Sequence, residues 1–344
     1  MGSDIDSLFS KANYYITQLR DYAKALNYYD EILKISPYNP DVFLLRADAL
    51  YALGKDDEAR KSIDRYVQID RDSPEAWTVR AAFLVDLGQY SDAINSSDNA
   101  MKIIQSGKKN KPEIMVTGLY NKGIALAYLS IFKEAIRCFD SAIHISPKAA
   151  GVWNEMGRTY SQLAEYDKAL DCFDKAIGIN PSLPEAYYLK GEALCFSGRM
   201  KESLTCYDQA ILQLEDIIRQ TGDPQVKNQK LFILYTKGAT LQELKLYDEG
   251  IEYFDNALEI APKDSMLWLS KGISYHNLVQ LDQAIECFDN AVELVAQESN
   301  NGLKNTVWSY LSKETVLMFA LDGIGNILNS EGRFNESAVC YDNL

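Results

Sequence analysis

The sequence predicts an all-α fold made by repeating one helix-turn-helix unit, and three observations carry that prediction. The segments YAKALNYYDEILKISP (22–37), FKEAIRCFDSAIHISP (132–147), YDKALDCFDKAIGINP (166–181) and YDEGIEYFDNALEIAP (247–262) align without gaps: aromatic start, small residue, second aromatic, terminal proline. The small residue recurs at Ala25, Ala59, Ala93, Ala135, Ala169, Ser203, Gly250, Ala284 and Ser337, at intervals of 34, 34, 42, 34, 34, 47, 34 and 53 residues. Apolar residues within each unit follow helical rather than alternating spacing. Length alone suggests about two domains, but a repeat array has one continuous core whatever its length, so residues 1–344 are expected to form a single solenoid.

Repeats begin near residues 6, 40, 74, 116, 150, 184, 231, 265 and 318, the ninth being partial. The first helix of each carries a large residue at repeat position 4: Phe9, Phe43, Trp77, Leu119, Trp153, Tyr187, Leu234, Trp268 and Leu321. Four residues later stands a small one: Ala47, Ala81, Gly123, Gly157, Gly191, Gly238, Gly272 and Gly325. Glycine inside a helix costs about 1 kcal/mol against alanine, so its return at one register predicts close helix approach. The second helix repeats the device with Ala100, Ala142, Ala176, Ala210, Ala257 and Ala291, and Pro37, Pro147, Pro181 and Pro262 stop it. The sequons at Asn95 and Asn335 fall in helical pattern and read as chance matches.

In sum, Trp153, Gly157, Tyr160, Ala169, Phe173, Ala176 and Pro181 reproduce the signature of the tetratricopeptide repeat, and the chain resembles that family over nearly its whole length. The resemblance implies a right-handed superhelix, an α-solenoid, whose first helices line a concave groove with positions 2, 5, 9, 12 and 13. Asn13, Ile32 and Tyr66 depart from the pattern at normally small positions near the amino end, where capping repeats are often atypical. The pentatricopeptide RNA-binding family is the runner-up, and its longer unit and cationic groove do not fit.

Insertions are expected near 108–115, 218–230 and 299–317. The terminating proline is missing before each, at Gln105, Glu215 and Ala296, so longer helices joined through 107–111, 221–225 and 298–302 are the simplest arrangement. Loop variation and protruding arms that bind a partner or a second copy both stay open; Val307, Trp308, Tyr310 and Leu311 favour the arms. The chain stops at Leu344 inside a second helix, which reads as a fragment of a longer protein or as an open end that docks on another chain.

Composition narrows function. Lys plus Arg number 35 against 49 Asp plus Glu, a net charge of −14, which disfavours nucleic acid and anionic membrane as partners. No apolar run of about 18 residues predicts membrane insertion, and six cysteines in 344 residues are too sparse for a disulfide scaffold, pointing to a cytoplasmic setting. Two histidines, His144 and His276, stand in different repeats and there is no Cys-x2-Cys pair. No phosphate loop or nucleophile elbow appears, and Gly323-Ile324-Gly325 lacks a third glycine. The expectation is a protein that is not an enzyme, with no metal and no cofactor.

Binding is what remains. The groove positions hold eight acids (Asp41, Asp48, Glu75, Asp86, Glu185, Glu192, Glu243, Asp322), one base (Arg158) and nine aromatics, Phe232 and Phe319 among them. The candidate contact residues are Tyr14, Asp48, Tyr51, Asp86, Tyr120, Tyr128, Arg158, Tyr188, Glu192, Phe196, Tyr235, Glu243 and His276. Acidic and aromatic character suits a protein or peptide partner with basic and apolar side chains. The lysine at position 5 that a chaperone-tail clamp needs is absent from every repeat. A regulatory or targeting segment of a larger enzyme, and self-association through the arms and open end, are the alternatives.

The string Cys-Phe-Asp occurs at 138–140, 172–174 and 287–289. Its cysteine shares repeat position 23 with Ser and Tyr, so it reads as a core-facing filler rather than a reactive thiol. Its aspartate fills position 25 in all nine copies (Asp30, Asp64, Asp98, Asp140, Asp174, Asp208, Asp255, Asp289, Asp342) and is expected to form a solvated acidic stripe.

Overall fold

Helix-forming periodicity interrupted by turn signals gives, in a computed structural model that describes residues 2–107, 111–297 and 313–342, helices and no strand among the described residues. Two compact units divide the chain. Met1–Glu165 holds α1 (Gly2–Thr17), α2 (Tyr22–Ile35), α3 (Pro40–Ala52), α4 (Asp56–Ile69), α5 (Pro74–Asp86), α6 (Tyr90–Gln105), α7 (Pro112–Tyr128), α8 (Phe132–Ile145) and α9 (Ala150–Gln162). Tyr166–Leu344 holds α10 (Tyr166–Ile179), α11 (Pro184–Phe196), α12 (Met200–Thr221), α13 (Pro224–Glu243), α14 (Tyr247–Ile260), α15 (Ser265–Asn277), α16 (Leu281–Gln297), α17 (Lys313–Ser330) and α18 (Phe334–Asp342). Within each unit successive helices pack as neighbours, the α-solenoid arrangement of paired helices. Asn95 and Asn335 lie within α6 and α18.

The recurring small residue does what its register implies. A Cβ at Gly191, Gly238 or Gly272 would lie 2.5, 2.7 and 2.6 Å from the ring of Tyr207, Phe254 and Phe288, the aromatic at position 24 of the same repeat. Where position 8 is alanine, position 24 shrinks: Ala47 packs in one core with Ile63, and Ala81 is matched by Ser97. Volume is thus traded across the helix pair, as close-packed interiors require.

Turn geometry adds two devices. Position 15 is left-handed throughout: Gly54, Gly88, Gly198 and Gly332, but also Arg20, Ser130, Ala164, Lys245 and Val279, have φ between 50° and 83°. The next N–H then reaches back into the helix, as Lys55 to Leu50 O at 2.9 Å and Gln280 to Tyr275 O at 3.0 Å. At position 4 the indole N–H of Trp77, Trp153 and Trp268 donates to the carbonyl six residues earlier (Arg71, Pro147, Pro262), satisfying the end of the preceding helix.

The position-25 aspartates correct the expectation of a merely solvated stripe. Six of them bind a cation at position 7 of the next repeat: Asp30–Arg46 at 3.0 Å, Asp64–Arg80 at 2.8 Å, Asp98–Lys122 at 2.6 Å, Asp174–Lys190 at 2.5 Å, Asp255–Lys271 at 2.6 Å, and Asp208–Lys237. The same cation also meets position 23 of its own repeat. Arg46 and Arg80 donate to the Ser62 and Ser96 hydroxyls, and Lys237 to the Tyr253 hydroxyl at 2.7 Å. Of the three Cys-Phe-Asp strings, only that at 172–174 places its aspartate in this ladder of inter-repeat ion pairs among the described residues. The carboxylates are 33–59% exposed, so each rung contributes no more than about 1 kcal/mol. Among the described residues Asp140 and Asp289 have no such cation, because position 7 of the next repeat is Met156 or Ile324; burial raises both carboxyl pKa values.

At the second long interval the added residues are helical. α12 has 22 residues and α13 has 20, against 14 and 13 in α4 and α3. Gly222 ends α12 at φ 62°, Asp223 caps α13 by accepting from the Gln225 N–H, and Pro224 takes the first turn. Lys230 and Glu215 join the two helices at 2.7 Å. Residues 298–312, with Val307, Trp308, Tyr310 and Leu311, lie outside the described residues.

Candidate functional site

In the first unit the candidate residues sit on α1, α3, α5, α7 and α9. Tyr14, Tyr51 and Tyr128 are 54%, 42% and 50% exposed, an unusual state for large aromatics on helices with buried cores. Tyr51 packs edge-on against Phe83 and points its hydroxyl toward the Asp86 carbonyl at 3.5 Å. Asp48 and Asp86 are brought together. Loss of solvation raises both carboxyl pKa values, and the charge of Asp86 raises Asp48 further. Tyr128 stacks on Tyr90 with ring centroids 4.8 Å apart and planes 3° from parallel.

The one base of the predicted groove set is committed. Arg158 pairs with the largely buried Glu155 at 2.5 Å and lies 5.3 Å over the Tyr128 ring. Glu75 is likewise paired, with Lys111, and accepts from Ser73 at 3.0 Å. Among the described residues, Asp41, Asp48 and Asp86 are the acids of this set in the first unit that pair with no cation. Tyr120 is half-buried and tilts against Phe139; Tyr14 meets only its neighbour Tyr15 among ring contacts of the described residues.

In the second unit α11, α13 and α15 supply Tyr188, Glu192, Phe196, Tyr235, Glu243 and His276. Tyr188 lies against Glu192, and the Thr236 hydroxyl beside it donates to the Phe232 carbonyl at 2.9 Å. Burial first, then the Glu192 charge, drives the Tyr188 phenol far above its ordinary value. Burial also raises the Glu192 carboxyl, against the hydrogen bond that lowers it. Phe196, 70% exposed, stacks on Tyr166 at 6.2 Å. Tyr235 is held against Phe254; Glu243 and His276 are exposed on α13 and α15 and make no contact that joins them to the others.

Position-13 aromatics stacking on a position-17 aromatic of the preceding repeat (Tyr128 on Tyr90, Phe196 on Tyr166) were not part of the sequence reading. Nor were the position-7 cations. A metal centre finds no support: among the described residues no three His, Cys, Asp or Glu side chains converge, and no helix is long and apolar enough to cross a membrane. Burial raises the Cys138, Cys206 and Cys287 thiols, the last to about 11, which lowers their reactivity.

Tetratricopeptide repeat profiles match residues 17–83, 150–183, 184–212, 233–264 and 267–296, together more than half of the chain. The chain belongs to the tetratricopeptide repeat family. No curated protein matches it. Among solved structures, this tetratricopeptide repeat chain resembles the Cut9-Hcn1 hetero-tetramer of APC/C (15% identity, TM-score 0.55, covering 86% of this chain and 52% of that one). It also resembles the human IFIT1 dimer with PPP-AAAA (14%, 0.52, covering 80% and 70%). A third is PilW, a type IV pilus biogenesis factor (21%, 0.50, covering 60% and 91%). At these identities the likeness is one of fold. Tetratricopeptide repeats are in general non-catalytic modules that bind proteins or peptides.

Proposed function

We propose that this chain is an interaction scaffold whose first helices hold an extended peptide or helix of a partner protein that carries basic and apolar side chains. The observation that carries the reading is the coexistence, on the first helices, of aromatics left in water with carboxylates whose pKa values are raised. Tyr51 and Tyr128 stay partly exposed on their helices, and among the described residues Asp48 and Asp86 stand together without a cation. A partner's lysine or arginine relieves that repulsion, and aromatic faces hold the stem and charge of the same side chain. The fixed cations of the ladder are already neutralised by aspartates, so they do not compete for the partner.

The test is binding of a basic, apolar peptide library by the parent protein and by a variant with Asp48→Lys, Asp86→Lys and Glu192→Lys, both checked for helix content by circular dichroism. Loss of binding in the variant supports the scaffold reading, and unchanged binding overturns it.

A further inference from the structure

The helical insertion lines a cavity. Between α11 and the extended part of α13 lies a space of about 610 Å³, within the range of pockets that hold a ligand. Its floor is apolar: Leu214 of α12 and Ile233 of α13 are 2% and 4% exposed. Tyr188 and Phe232 form one wall, edge to face at 5.4 Å, and Leu183 with Pro184 form another. The rim is polar: Glu185 on one side, Asn228 and Gln229 on the other. Asn228 and Gln229 belong to the added residues of the 47-residue interval, so the pocket exists because the insertion is helical.

We infer that this pocket is an anchor subsite for a partner segment in which a bulky apolar pair of residues is flanked by a basic one. The inference rests on the scaffold reading and adds a place and a side-chain order to it. Charge complementarity selects the occupant. The rim acid Glu185 is exposed and, among the described residues, pairs with no cation, and Glu192 lies one helical turn beyond Tyr188. Of the two lysines on the added residues of α13, Lys230 is neutralised by Glu215 at 2.7 Å and Lys227 is exposed. An apolar side chain packed against the Tyr188–Phe232 wall places the residue beside it at Glu185, where a cation is favoured and an anion repelled. Apolar burial supplies the affinity, and the carboxylate sets the order.

The probes are three fluorescein-labelled nonapeptides in a Gly-Ser background: one with a central Arg-Phe-Leu, one with Phe-Leu replaced by Ser-Ser, and one with Arg replaced by Glu. Fluorescence anisotropy is read for the full chain, for Gln229→Trp, which fills the pocket from an exposed rim position, for Glu185→Lys, and for Asp48→Lys with Asp86→Lys in the other unit. The expected result is binding of the first peptide alone, weakened about tenfold or more by Gln229→Trp and by Glu185→Lys. Binding that survives Gln229→Trp but falls with Asp48→Lys and Asp86→Lys overturns the pocket and leaves the scaffold reading standing. Equal binding of all three peptides by all variants overturns both. Melting curves that match the parent exclude misfolding of the variants, and Glu185→Gln, which keeps shape without charge, must fall between Glu185 and Lys.

Discussion

Gly272→Ala and Gly178→Ala are the same substitution with opposite expected signs. Both glycines lie inside helices, so alanine brings about 1 kcal/mol of helix propensity in each case. At Gly178 of α10 no atom lies within 4 Å of the new Cβ, and the gain is realised. At Gly272 the Cβ would lie 2.6 Å from Cδ1 and Cε1 of Phe288 and 3.2 Å from Cβ of Cys287. The ring cannot retreat, because its other edge, Cε2, lies 2.7 Å from where a Cβ on Gly323 of α17 would be, and Phe288 is 2% exposed. Overpacking of this kind costs about 1–3 kcal/mol, which exceeds the propensity gain at its upper end. Gly272→Ala should therefore destabilise by up to about 2 kcal/mol, and Gly178→Ala should stabilise by up to about 1 kcal/mol. Adding Phe288→Ile to Gly272→Ala, the combination present at Ala47 and Ile63, should recover part of the loss, giving a favourable coupling in a double-mutant cycle. Guanidinium midpoints with hydrogen exchange of the α15–α16 amides measure this locally. A Gly272→Ala protein as stable as the Gly178→Ala protein would refute the packing argument.

Val279→Gly should stabilise by about 1 kcal/mol, because a β-branched residue at φ 61° and 75% exposed strains the backbone and packs on little; a lower melting temperature would contradict it. Lys237→Met should destabilise by about 1 kcal/mol through loss of its bonds to Asp208 and Tyr253, with Asp208→Asn smaller because that carboxylate is half exposed; equal denaturation midpoints would deny the ladder a role. Cys287 should alkylate at pH 8 roughly a hundredfold more slowly than an ordinary thiol of 9.0, since burial pushes it to about 11; labelling by mass spectrometry reads the rate. Affinity for a basic peptide should fall with pH above the range of ordinary carboxylates, 3.8 for Asp and 4.5 for Glu, because Asp48, Asp86 and Glu192 take up protons early. The same raised values mean that these groups favour the folded state most below their ordinary range and lose that contribution as pH rises through the folded values. Titration of binding against pH checks the first statement and melting against pH the second.

Much of the fold was legible because its determinants are local and periodic. The small residue at position 8 and its ring at position 24 sit 16 apart, as Gly191–Tyr207, Gly238–Phe254 and Gly272–Phe288 do, so one alignment exposes both. Position 15 was hidden, since only four of nine residues there are glycine and the turn forces arginine, alanine or valine into the same geometry. The ion-pair ladder was hidden for a different reason. Its partners are 16, 24 or 29 residues apart depending on the insertion, so neither the i to i+4 rule nor the repeat period finds them. The insertion pocket depends on how far α12 and α13 extend, which sequence spacing suggested, and on which side chains they then present, which it did not.

The most direct measurement is a hydroxyl-radical footprint of the chain with and without a captured partner, read by mass spectrometry. Tyr51, Tyr128 and Phe196 should lose reactivity on binding, while Tyr38 (80% exposed) and Leu212 (52% exposed), which lie off the first-helix positions proposed to bind the partner, should keep theirs. Protection of Tyr38 and Leu212 with the three aromatics unchanged would contradict a partner held by the first helices.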